Sequence, residues 1–127
     1  MLNKGLRDEE STRIENTLRI LHSLTFVPKY WIFEDLSEID GQLKNFGLSL
    51  ETLIESEPNE MITLLSRCHL DWNQKEQFAD VLIFLSKENQ FQFTAKALAL
   101  YEHIQTESAT FSFGINTKIT SAKVKLQ

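Results

Sequence analysis

Apolar residues recur at helical intervals through most of this chain. In 71–103, Trp72, Lys75, Phe78, Ala79, Leu82 and Leu85 line one side at steps of three and four, and Val81 and Phe84 broaden the stripe. A second run follows in Ala97, Leu98, Leu100, Tyr101 and Ile104. The polar stretch Lys87-Glu88-Asn89-Gln90 joins them. The pattern predicts a helical hairpin of two antiparallel rods. Asp71 followed by Gln74 fits a capping box and starts the first rod at Trp72. Thr94 is the expected cap of the second.

The same period recurs elsewhere. Ile14, Leu18, Leu21 and Thr25 make one stripe of a helix expected over 8–24, widened by Ile20 and Leu24. Asp8, Glu9 and Glu10 fall in its first turn, where carboxylates oppose the exposed N–H dipoles. Pro28 ends it. The aromatic segment Tyr30-Trp31-Ile32-Phe33 is expected to lead into a helix carrying Ile39 and Leu43, with Gly47 as terminator. Ser49 caps a short helix with Leu50, Leu53 and Ile54. Pro58 suits the first turn of the next, whose apolar side is Met61, Ile62, Leu64 and Leu65. Beyond residue 110 the period weakens. Ile115, Ile119 and Val124 keep a helical spacing, while Thr117, Ile119, Thr120 and Val124 are β-branched and pull against a helix.

Together these elements predict an all-α fold: a compact bundle or short stack of about five to six helices, one domain over 1–127, with 110–127 as a tail docked on the bundle. Nine Phe and two Trp supply large core side chains, and only four Gly and two Pro interrupt the helices. Charge is unevenly placed under a formal net of −5: residues 31–60 hold eight acids against Lys44 alone, whereas 110–127 hold Lys118, Lys123 and Lys125 and no acid. An acidic total argues against general binding to phosphate backbones, so nucleic acid is an unlikely partner. The single Cys68 has no partner for an internal disulfide, and no apolar run approaches bilayer length. A reducing, cytoplasmic setting without transmembrane segment is therefore expected.

Within the hairpin, Val81, Phe84 and Leu85 on the first helix and Ala97, Tyr101 and Ile104 on the second fall near packing positions of a tetratricopeptide-type unit, so 80–104 resembles one. The resemblance implies a peptide- or protein-binding surface on stacked helices and no catalytic residues. The segment departs from that family in having no glycine between the inner positions of its first helix and no tandem copy.

Candidate chemistry is sparse. His22, His69 and His103 do not pair at three or four residues, and one thiol is too few for a cysteine zinc site. Cys68 reads as a small buried hydrophobe. Glu34 and Glu38 share a helical face at a spacing of four, and with His22 they form the alternative reading: a divalent-metal-binding protein or metal-dependent hydrolase. No Glu-x-x-His motif supports a dimetal bundle. Asp80 falls opposite the apolar side of its helix and is expected to be solvated. No glycine-rich phosphate cradle or nucleophile elbow occurs, and no cofactor is expected.

Two Phe-x-Phe motifs bracket the last strong helix: Phe91-Gln92-Phe93 before it and Phe111-Ser112-Phe113 after it. If extended, each puts two rings on one side. They plug the ends of the core or form a patch for a partner or a second copy of the chain. The favoured reading is a helical interaction or scaffold module without catalytic activity, able to form a homodimer, with Phe91, Phe93, Phe111 and Phe113 as interaction residues.

Overall fold

The computed structural model describes the backbone of residues 2–26, 33–87, 91–109 and 112–126, and the side chains of 9–25 and of 36 onward within those ranges. Tyr30-Trp31-Ile32 and Phe111 lie outside the described residues, as does the side chain of Glu34. Among the described residues the chain forms seven α-helices and no strand: α1 (Leu2–Phe26), α2 (Phe33–Leu43), a 3₁₀ turn (Lys44–Phe46), α3 (Leu50–Glu55), α4 (Pro58–Arg67), α5 (Trp72–Ser86), α6 (Thr94–Glu107) and α7 (Phe113–Leu126).

The boundaries follow from side chains that satisfy exposed backbone groups. Ser49 Oγ accepts the Thr52 N–H at 3.0 Å and starts α3. The Leu50 N–H instead donates 2.8 Å to Asp40 Oδ1, so a residue of α2 closes another open position of α3. Asp71 and Gln74 form the capping box of α5: the Gln74 N–H donates to Asp71 Oδ1 at 2.7 Å and the Asp71 N–H to Gln74 Oε1 at 2.9 Å. The Gln74 amide, nearly fully buried, also donates to Ser11 Oγ and Glu15 Oε1 at 3.1 and 3.2 Å, tying the start of α5 to α1. Gly47 stands at φ 72°, with its N–H on the Lys44 carbonyl and the Leu48 N–H on the Leu43 carbonyl. That left-handed closure is the reason a glycine stops this element.

Helix α5 is the central rod. It packs against α1 on one side and α6 on the other; α6 in turn carries α4 and α7, and α1 carries α2. The hairpin expected over 71–103 is this α5–α6 pair. Leu18, Leu21, Ile39, Leu43, Leu53, Met61, Leu65, Phe78, Leu82, Leu85 and Leu100 are buried almost completely, so α1 to α6 feed one continuous core.

Several expectations need correction. Among the described residues there are seven helices, one beyond the expected five to six, because 113–126 is helical. Burying Ile115 and Ile119 yields roughly 3–6 kcal/mol, against about 0.5 kcal/mol for each β-branched residue in the helix, so docking on α6 outweighs weak propensity. Helix α1 begins at Leu2, which moves Asp8, Glu9 and Glu10 out of its first turn. Phe93 holds the N-cap position of α6 with no side-chain cap bond; Thr94 is the first helical residue. The open end is held differently, by the Phe93 N–H donating 2.9 Å to Ser86 Oγ across the loop. Asp80 is half-buried and bonded, not solvated.

Candidate functional site

Two polar clusters lie on α5. In the first, Lys118 of α7 reaches back to donate 2.6 Å to Glu76 Oε2 and 3.1 Å to Asp80 Oδ2. Tyr101 of α6 donates its hydroxyl to the other Asp80 oxygen, Oδ1, at 2.5 Å. Burial pulls the Lys118 amine down, and the bonds and charges of Glu76 and Asp80 reverse this and leave it above its ordinary value. Burial and the Asp80 bond hold the Tyr101 hydroxyl protonated far above the usual range. The network fixes the angular position of α7 on the α5–α6 hairpin, a role that lysine stems suit because their methylenes cover apolar surface on the way to the charge.

In the second cluster Lys75, only 5% exposed, donates 3.2 Å to Ser66 Oγ of α4 and lies 3.3 Å from His103 Nε2 of α6. Its amine stands 4.5 Å from the Trp72 ring centroid, and Trp72 lies against His103. Burial depresses the Lys75 amine, offset in part by the charge of Glu107. Burial, then Lys75 itself, depresses His103, again opposed by Glu107. Lys75 therefore joins α4, α5 and α6. It was legible as an inward-facing position of α5, but its contacts were not. Trp72, expected on the inner side of α5, is 41% exposed.

A groove of about 430 Å³ runs between α1 and the 3₁₀ turn, floored by Ile14, Phe46 and Cys68 and rimmed by Arg13 and Asn45. Some of its polar groups bond one another: Asn45 donates to Thr17 Oγ1 at 3.2 Å, and the Cys68 thiol donates to the Phe46 carbonyl at 3.4 Å. Burial, helped by the charge of Glu10, raises the Cys68 thiol, which keeps it protonated and poorly nucleophilic.

Of the metal candidates, the structure describes the side chains of His22 and Glu38. Among the described residues no group of three or more His, Cys, Asp or Glu side chains converges. His22 packs edge-on against Phe84 of α5 at 5.2 Å between centroids, and Glu38 is exposed on α2. No described helix is long and apolar enough to cross a membrane.

The Phe-x-Phe residues divide. Phe91 and Phe93 stack at 5.3 Å, and Phe93 is 1% exposed, turned into the core. Phe113 opens α7 and is 80% exposed, and Val124 near the other end of that helix is 63% exposed. At about 100° per residue, the buried face of α7 is Ile115, Ile119 and Ala122. Diametrically opposite lie Phe113, Thr117, Thr120 and Val124, all exposed and all uncharged. The Thr117 hydroxyl donates 2.9 Å to the Phe113 carbonyl and the Thr120 hydroxyl 3.1 Å to the Asn116 carbonyl. Both threonines thus spend their polar hydrogen on their own helix. Lys118, Lys123 and Lys125 flank this stripe without entering it. The steps of four, three and four were present in the sequence; which face turned outward was not.

No protein-family model, curated protein or solved structure matches the chain.

Proposed function

We propose that the chain is a protein–protein interaction module that works through α7, with the α5–α6 hairpin, the segment resembling a tetratricopeptide unit, as its platform. The observation that supports this most is the outward stripe of α7. A helix facing only water gains most from charged, strongly helix-forming residues on its exposed side. Here that side carries a phenylalanine, two threonines and a valine, whose low propensity serves no purpose in solvent. The Lys118 network holds the stripe in one orientation, so a partner meets a pre-ordered surface. The stripe's spacing matches the apolar positions of a helix that packs on another helix.

A photo-reactive amino acid placed at Val124 tests this reading in cells, with Glu51 and Arg67, exposed on other helices, as controls. Discrete protein adducts at Val124 that are missing at both controls are expected. The same weak adducts at all three positions would remove α7 as an interaction surface.

A further inference from the structure

Resting on that interaction reading, we infer that the occupant of the α7 stripe is a second copy of the same chain, docked with the two α7 helices antiparallel. The stripe is self-complementary in spacing. Phe113, Thr117, Thr120 and Val124 fall at steps of four, three and four, the alternation of a two-helix seam. Turned end for end about a point between Lys118 and Ile119, the stripe maps onto itself: Phe113 meets Val124 of the other copy, and Thr117 meets Thr120. A two-fold axis there produces two identical large-to-small contacts at the ends and two threonine contacts in the middle, the closed isologous arrangement of a dimer.

Charge fits the same arrangement. Lys118 is the lysine nearest the axis, where like charges from two copies approach most closely, and it is the one bound by Glu76 and Asp80. Lys123 and Lys125 lie toward one end of α7, so antiparallel pairing carries them to opposite ends of the seam. Their separation along the axis is about 13 Å or more at 1.5 Å per residue, beyond the screening length of roughly 8–10 Å at ordinary salt. A parallel pairing would instead set Lys123 beside Lys123 and Lys125 beside Lys125.

The surface beside the stripe supplies a receptacle for the exposed ring. A groove of about 250 Å³ with a mostly apolar surface runs along the flank of α7, walled by Ile83 and Phe84 of α5, Tyr101 of α6 and Ala122, with the Asp80–Lys118 pair, Ser121 and Lys125 at its polar edge. Ser121 lines the groove and lies between it and the stripe, about 60° from Val124 around the helix, with Lys125 farther round on the groove side. In the antiparallel pairing the Phe113 ring of one copy therefore arrives at the groove mouth of the other, with the Lys125 amine available over its face. The seam is short: it runs over residues 113–124 of one helix, fewer than the roughly 20–30 residues a side of a standard interface. The dimer is accordingly weak, with a dissociation constant on the order of 10–500 µM.

Sedimentation velocity on the full chain, run from about 5 µM to about 1 mM to bracket that range, reads the association. Wild type is expected to shift from monomer to dimer. Phe113→Asp and Val124→Lys, both at exposed positions that leave the core intact, each weaken association at least about tenfold. The decisive arm is the equimolar mixture of these two variants. In a mixed dimer, Asp at 113 faces Lys at 124 across one end, while Phe113 and Val124 meet unchanged at the other. The mixture is expected to recover association that neither variant shows alone, and to lose it again at high salt. A wild type monomeric throughout, or a mixture no better than its components, overturns the antiparallel dimer. If Val124 adducts then still form with a different protein, the interaction reading stands and only the identity of the occupant falls.

Discussion

Lys75→Met should stabilise this protein, although it deletes two hydrogen bonds from a buried side chain. The Lys75 amine has no carboxylate within ion-pair distance among the described residues, where both ion pairs belong to Lys118. Its contacts are Ser66 Oγ at 3.2 Å, His103 Nε2 at 3.3 Å and the Trp72 ring at 4.5 Å. Ser66 is exposed and His103 half-buried, so both regain water when the amine is gone, and the two bonds cost about 1 kcal/mol together. The ring contact adds about 0.5–1 kcal/mol. Against this stands the desolvation of an ammonium, which runs to several kcal/mol for a buried ion and which Glu107 offsets only in part. Methionine keeps the unbranched stem and its packing, and the net change is about 0.5–2 kcal/mol in favour of the variant. Lys75→Ala also removes three buried methylenes and should lose roughly 2 kcal/mol relative to Lys75→Met. Urea denaturation of the three proteins at neutral pH measures both differences. Proton titration of His103 by NMR supplies an independent reading. Burial and then Lys75 hold His103 below its ordinary value of 6.5, so removing the lysine should raise it. A depressed histidine binds more protons in the unfolded chain, so its stabilising contribution is present above pH 6.5 and is lost as pH falls through the folded value. The acid loss should be smaller in Lys75→Met. A methionine variant less stable than wild type by more than about 1 kcal/mol, or an unmoved His103, would refute the assignment of Lys75 as an electrostatic cost.

Three further outcomes are expected. His69 closes α4 at φ 64°, with its N–H on the Ser66 carbonyl and the Leu70 N–H on the Leu65 carbonyl; His69→Gly should raise stability in thermal or urea unfolding by about 0.5–1 kcal/mol, because glycine enters that left-handed region without strain. Asp71→Ala opens the capping box of α5 and should cost about 1 kcal/mol, with amide exchange at Gln74 accelerated. Lys118 sits above its ordinary amine value of 10.5 in the folded chain, so its contribution is complete below that pH and disappears as pH rises through the folded value. The stability gap between wild type and Lys118→Met should therefore stay level through neutral pH and shrink above pH 10.5.

Residues close in sequence announced most of the helices. Asp71 with Gln74, Ser49 with Thr52, Pro58 and Gly47 act through backbone groups two to four positions away, and the inner stripe of α5 repeats at the helical period, so these features needed only local physics. The tail could not be read that way. Its own residues disfavour a helix, and the burial of Ile115, Ile119 and Ala122 against α6 reverses that preference. Tertiary packing also decided which polar residues matter. Asp80 looked like surface until α6 and α7 brought Tyr101 and Lys118 to it, from 21 and 38 positions along the chain. Lys75 shares its helix face with leucines, but only the approach of α4 and α6 sets Ser66 and His103 beside its amine. The stripe from Phe113 to Val124 is written in the primary sequence, yet a helix in isolation has no outside. Docking one face of α7 on the hairpin left the opposite, charge-free face in water, and that choice belongs to the assembled core because burial is a property of neighbours and not of any single segment.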